Sequence, residues 1–175
     1  LALERAPELA CEIVRQGHEV TSHGYRWQHQ FLMEEDDERE YIRKAVASIE
    51  RTVGRRPQGW LSRYLMTGNT RRLLAEEGFL YHMDDLGDDE PSWDSVAGRP
   101  IVVLPYQIDN NDMKMWTDPA CTPDHWLKYA IDNLDWALAE GEHEVNMMSI
   151  GLHLRIIGRP GRIWALEKFL AYAAE

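Results

Sequence analysis

The chain has 175 residues, 44% of them hydrophobic, which is enough for one sizeable core and gives no sign of a second domain. Its net charge of −11 and the absence of a Lys/Arg-rich block exclude nucleic acid or an anionic membrane as the main partner, since both reward basic patches. Two cysteines, Cys11 and Cys121, do not make the disulfide framework of a small secreted protein, and no apolar run approaches a bilayer span, so a cytoplasmic protein is expected.

In chain order, the pattern begins with a helix from Glu4 to Gln16, closed by Gly17 as a C-cap. A strand follows near His18 to Ser22, then a helix from Glu34 to Val53. Its apolar stripe is Tyr41, Ile42, Ala45, Val46, Ile49 and Val53, and five acids from Glu34 to Glu38 crowd the end where the helix dipole favours negative charge. Next come a strand near Trp60 and Leu61, a helix from Asn69 to Glu77, and strands at Phe79 to Met83 and Ile101 to Leu104. Thr122 and Pro123 supply an N-cap and an N1 proline for a helix that runs to Glu140, with Trp126, Ala130, Leu134 and Ala137 at helical spacing. A strand at Met147 to Leu152 and a helix from Pro160 to Ala173, with Ile163, Leu166, Leu170 and Ala173 facing inward, complete the set. Strands alternating with helices predict an α/β fold with parallel strands.

Three long irregular stretches, Gly24 to Met33, Asp84 to Pro100 and Tyr106 to Cys121, have the length of lids or binding loops. His23 and His153 each follow a predicted strand, where α/β enzymes present chemistry, and the expectation is one shared pocket.

Four segments carry a family resemblance. They are His18 to Trp27, Arg56-Pro57-Gln58-Gly59-Trp60, Asp84-Asp85 with Asp88 to Trp93, and Gly151-Leu152-His153 with Gly158 to Arg162. In this order they resemble the polysaccharide deacetylase (NodB-homology) superfamily, most of all its branch of metal-independent allantoinases and related cyclic-amide hydrolases. The resemblance implies a distorted (β/α) barrel with the site at the C-terminal ends of the strands.

Two departures from the family pattern matter. The family's deacetylases carry a His-x-x-x-His pair that, with an upstream Asp, holds a divalent metal; here His23 occupies the first position and Trp27 the second. An indole offers no lone pair to a metal, so no cofactor is expected, and zinc or another divalent ion is the lesser reading with His23 its one family-position ligand. The family's catalytic Asp motif lies on a first strand that does not precede Glu4. The chain therefore reads as the C-terminal part of the barrel, a single catalytic domain completed by an upstream segment or a partner chain, and hence oligomeric.

The resemblance implies a hydrolase of non-peptide carbon–nitrogen bonds acting on a small amide, of the allantoin or cyclic imide type. Metal-dependent N-deacetylation of acetylated sugars and a non-catalytic subunit of a split enzyme are the alternatives. His153, in the family's Leu-His motif, is the candidate general acid, set against the plainer role of a hydrogen-bonded core histidine. His23 is a water-orienting or substrate-binding residue, a vestigial metal ligand, or a structural histidine. Trp27, Arg63, Trp93 and Arg159 are candidate substrate-binding residues beside a purely structural reading of each, since guanidinium forks pair with polar oxygens and indoles make rigid walls. Trp60 is a further candidate. Asn111 and Asp112 fall in a run like the family's substrate loop, or else form a polar surface turn. Asp84, Asp85, Asp88 and Asp89 read as a solvated loop in preference to a metal cluster.

Overall fold

The computed structural model describes residues 2–175. They form two compact units, the first running to Asp84 and including Ser92–Leu104, the second comprising Asp85–Pro91 and Pro105–Glu175. No described helix is long and apolar enough to cross a membrane.

In the first unit the predicted opening helix is two, α1 (Ala2–Arg5) and α2 (Pro7–Arg15). Pro7 explains the break: it has no N–H to continue the ladder, and its ring disfavours helical geometry at Ala6. Helix α3 (Glu35–Val53) has the predicted acidic first turn and buries Tyr41, Ile42, Ala45, Val46 and Ile49. The first four pack with Trp60, Leu73, Leu74, Phe79 and Ile101 in one core. Trp60 is fully buried and meets Tyr41 and Phe79 edge-on, with centroids 6.1 and 5.6 Å away, the arrangement that aromatic quadrupoles favour.

The sheet has the order β1–β2–β4–β3. Strand β1 (Gly59–Trp60) pairs parallel to β2 (Tyr81–Asp85), with Gly59 opposite Tyr81 and Trp60 opposite His82. A Cβ on Gly59 would fall 2.0 Å from Tyr81 Cζ, so glycine here leaves room for the Tyr81 ring. Helix α4 (Thr70–Glu76) connects the two strands. β3 (Ser92–Val96) and β4 (Arg99–Pro105) form an antiparallel hairpin turned by Ala97 and Gly98, both at positive φ, 52° and 74°. That turn matches the twist of the flanking strands, and Ile101, Val103 and Pro105 alternate inward along β4. β3 lies inside the stretch expected to be a loop.

The strand expected at His18 to Ser22 is a single bridge, Ser22 to Trp60, because its neighbour β1 is only two residues long. Ser22 donates to Gly59 O at 3.0 Å and accepts from Leu61 N at 2.9 Å.

The second unit is built on α5 (Pro123–Glu140) and α7 (Pro160–Ala173), with the short α6 (Leu154–Ile157) before α7. Thr122 caps α5, its Oγ1 accepting from His125 N at 3.4 Å, and Trp126 and Ala130 are buried as predicted. On α7 the inward residues are Ala165 and Phe169; Ile163 and Leu170 are exposed. The helix is apolar on several sides, so spacing alone did not select a face, and the contact of Phe169 with Trp126 at 6.3 Å does. The strand expected at Met147 to Leu152 is extended but unladdered. Ser149 N donates to the Gln107 side chain at 3.1 Å, and Gly151 O accepts from Asp112 N at 2.9 Å, so side chains and a turn take the places a neighbouring strand would fill.

Candidate functional site

His23 and His153 fall in different compact units, and each has its own set of partners. In the second unit, extended chain brings His153 to the N-terminal boundary of α6. Its Nδ1 lies 2.7 Å from Oδ1 of Asp112, while its backbone N–H donates to Oδ2 of the same carboxylate at 2.8 Å. Ile157 N–H donates to Oδ2 at 3.2 Å. Asp112 is fully buried, and the His153 side chain is 26% exposed. A buried carboxylate surrounded by donors holds the Nδ1–H tautomer, which leaves Nε2 as the ring's basic nitrogen.

Asn111 and Asp112, expected beside each other in a substrate loop, are both buried. Asn111 accepts from Met113 N at 2.9 Å, capping the 3₁₀ turn Asp112–Met115, and donates to Tyr106 Oη at 2.7 Å. Burial raises the Tyr106 phenol above its ordinary range, partly offset by the bond from Asn111. Asp112 is committed to the His153 ring and to the main-chain N–H groups of His153 and Ile157. Tyr106 was not singled out from sequence, and Gly151 was named only as part of the Gly151-Leu152-His153 motif. A Cβ on Gly151 would sit 2.3 Å from Tyr106 Oη, so glycine there lets the tyrosine, Asn111 and Asp112 close together. Arg159 stands exposed at the boundary of α7, its carbonyl accepting from Arg162 N at 2.8 Å. Arg162, not Arg159, ties the turn, reaching Ile156 O and Met115 O.

In the first unit, His23 Nδ1 lies 2.7 Å from Leu61 O, which fixes Nδ1 as the donor because a carbonyl only accepts. His23 lines a cavity of about 590 Å³ with Val20, Thr21, Tyr25, Trp27 and Ile49. Arg63 lies over Trp27, its guanidinium carbon 3.7 Å from the ring centroid, and Nη1 reaches Trp27 O at 3.5 Å. The second family metal position is thus an indole covered by a cation. Among the described residues no three His, Cys, Asp or Glu side chains gather. An imidazole alone beside a guanidinium does not fit a divalent ion, which needs several anionic or neutral donors. Trp93 stands 76% exposed on β3 and is not among the residues lining this cavity. Trp60 is core.

Asp84 departs from its sequence reading. Its side chain is only 5% exposed at the end of β2, where it accepts from Ser62 N at 2.7 Å and Ser62 Oγ at 2.9 Å. His82 Nδ1 lies 3.4 Å from Asp84, and Arg71 Nε donates to His82 Nε2 at 3.0 Å. A strand-end acid with serine three residues past an aligned glycine is visible only once β1 and β2 are paired; in sequence Asp84 looks like the first of a loop's acids.

The polysaccharide deacetylase family matches residues 2–80. The protein named "Putative polysaccharide deacetylase" from Schizosaccharomyces pombe is 33% identical over 192 residues, covering 98% of this chain and 59% of that one. A probable polysaccharide deacetylase from Pseudomonas aeruginosa PAO1 superposes with a TM-score of 0.92 at 42% identity, covering 99% of this chain and 59% of its own. PuuE allantoinase superposes with a TM-score of 0.92 at 41% identity, covering 99% and 58%. The chain therefore spans somewhat under two thirds of the length of these relatives. Residues 2–80 match the polysaccharide deacetylase family, and over nearly all its residues the chain shares a mixed α/β fold and the ordered motifs with proteins carrying that name.

Proposed function

We propose that this chain is part of a hydrolase of carbon–nitrogen bonds other than peptide bonds, and that it opens a small cyclic amide without a bound metal. The observation that carries the reading is the buried Asp112 carboxylate on His153 Nδ1 at 2.7 Å. Opening a ring amide adds water oxygen to the carbonyl carbon, breaks the C–N bond, and delivers a proton to the departing nitrogen. His153 donates that proton from Nε2; Asp112 is its positioning residue and stabilises the imidazolium that precedes the transfer. His23, with Nδ1 committed to Leu61 O, presents Nε2 as an acceptor for water or substrate.

The PuuE relative supports a ring amide such as allantoin, and the covered indole at Trp27 supports metal independence. The names of the deacetylase relatives support the other reading, removal of acetyl groups from amino sugars, which the same experiment decides. The protein is supplied with allantoin, with succinimide and with N-acetylglucosamine oligomers, each with and without chelator. Ring opening that survives the chelator and falls on the order of a hundredfold in His153→Ala is the expected result. Stoichiometric metal, chelator-sensitive deacetylation, or full turnover by His153→Ala would overturn it. Placement in the cytoplasm and assembly with a chain or segment that completes the barrel belong to the same proposal.

A further inference from the structure

In the first unit the Leu61–Ser62 peptide carries an ionisable side chain at each end. Ser22 N donates to Gly59 O and Leu61 N to Ser22 O, at 3.0 and 2.9 Å, two successive rungs of a parallel ladder. The next donor in that ladder would be Gly24 N, but the chain turns there at φ 85° and Gly24 N goes to Ser22 Oγ at 3.4 Å. The His23 ring takes the place instead, its Nδ1 2.7 Å from Leu61 O. At the other end of the same peptide, Ser62 N donates to Asp84 Oδ1 at 2.7 Å. Ser62 Oγ receives Trp60 Nε1 at 3.0 Å and donates to Asp84 Oδ2 at 2.9 Å, so both carboxylate oxygens are engaged by one residue. The Asp84 side chain is almost fully buried, and water screens its charge little. A carboxylate on a peptide N–H polarises the peptide and makes the carbonyl at its far end a stronger acceptor, by roughly 10–30% per linked bond.

We infer that Asp84 is a positioning residue for His23, acting through the Leu61–Ser62 peptide without touching the ring. What His23 contributes to turnover rests on the hydrolysis proposed above: an acceptor for water or substrate at Nε2 needs its proton held on Nδ1 and its ring plane fixed. The Leu61 carbonyl does both, and Asp84 keeps that carbonyl aimed and polarised. The interposed peptide is neutral, so it orients the ring without the full counter-charge that Asp112 places on His153. A peptide link suits a ring that accepts, as a direct carboxylate suits one that donates a proton.

The test follows the His23 Nδ1–H resonance by NMR of the intact protein labelled with nitrogen-15 histidine, beside ring-amide turnover. In the native protein the proton is on Nδ1 at neutral pH. Asp84→Asn keeps an acceptor for Ser62 N but removes the charge. Its Nδ1–H resonance moves upfield, and kcat falls on the order of tenfold, the difference between a charge-assisted and a neutral bond, with KM little changed. Ser62→Ala keeps the bond from Ser62 N to Asp84 and loses the hydroxyl that joins Asp84 to Trp60. It lowers stability, yet the His23 resonance stays in place. A merely structural Asp84 gives a different pattern, the resonance following stability in both variants. That pattern, a native His23 proton on Nε2, or an Asp84→Asn protein with either the native resonance or the native turnover would overturn the inference. Should Asp84→Asn fail to fold, the resonance of Ser62→Ala decides: unmoved, it supports the link through the peptide, and displaced, it overturns it. Failure of the native protein to open any ring amide, with the resonance shifts as expected, would instead count against the proposed hydrolysis and leave the link from Asp84 to His23 standing.

Discussion

Replacing Asp112 by asparagine separates the positioning of His153 from the packing around it. In the native arrangement one carboxylate oxygen takes the ring Nδ1–H at 2.7 Å and the other takes the main-chain N–H groups of His153 and Ile157 at 2.8 and 3.2 Å. An amide of the same shape has one acceptor oxygen and one NH₂. If the oxygen faces the ring, the NH₂ opposes both main-chain donors; Ile157 N retains His153 O at 3.0 Å, but His153 N is orphaned, at about 1–3 kcal/mol. If the oxygen faces the main chain, both donors are kept and the NH₂ meets Nδ1, which must then accept. The second orientation wins, and the ring proton moves to Nε2. Asp112→Asn should therefore lose only about 1–2 kcal/mol of stability, the difference between a charge-assisted and a neutral bond. Its kcat should fall by about 10²–10⁴, because the histidine is held in the wrong tautomer and its cationic form loses its counter-charge. Asp112→Ala, which orphans His153 N and leaves a void, should lose about 2–4 kcal/mol. Chemical denaturation reads the stability, ring-amide turnover the rate, and nitrogen NMR of labelled histidine the tautomer. An Asn variant that turns over at the native rate, or a native His153 with its proton on Nε2 at neutral pH, would refute the reasoning.

Gly59→Ala places a methyl group 2.0 Å from Tyr81 Cζ, so the Tyr81 ring must shift off the strand; a loss of roughly 1–3 kcal/mol is expected by denaturant titration, and an unchanged stability would show the ring's placement over Gly59 to be dispensable. Tyr81 also sets an alkaline limit. Burial, the largest cause, pushes its phenol up to about 12 from an ordinary 10.0, so the folded state favours the neutral form; the stabilisation is complete below pH 10 and lost as pH rises toward 12. Tyr81→Phe should flatten the stability profile over that window, and a native tyrosinate signal titrating near 10 from this residue would contradict it.

Helices were the most legible part of the sequence. Thr122-Pro123 and Pro160 mark their starts by local chemistry that no distant residue alters, and α5 and α7 begin and end where those signals put them. Strands were less legible because a ladder needs a neighbour. His18 to Ser22 and Met147 to Leu152 have the composition of strands, yet one keeps a single bridge and the other bonds to side chains. β3 was hidden by its polar residues, Ser92, Asp94 and Ser95, although Ala97-Gly98 marked the hairpin turn. At the candidate site, His153 was recognisable from its motif, but its separation of 41 positions from Asp112 concealed their pairing. The stacking of Arg63 on Trp27 was hidden for the same reason, as Trp27 lies 36 residues away.

Glu38 has a consequence for motion. It is fully buried on α3 and accepts from Gln30, Thr67 and Thr70, with Gln30 Nε2 at 2.7 Å and Thr67 Oγ1 at 2.6 Å. Gln30 belongs to the stretch from Gly24 to Met33, which by length alone would pass for a swinging flap. Anchored at Gln30 to an acid inside the core and at the Arg26 carbonyl to the buried Tyr41 hydroxyl, that stretch is moored at two points along its length. What movement is left near Trp27 is then a short local ripple, with the moorings at Glu38 unbroken.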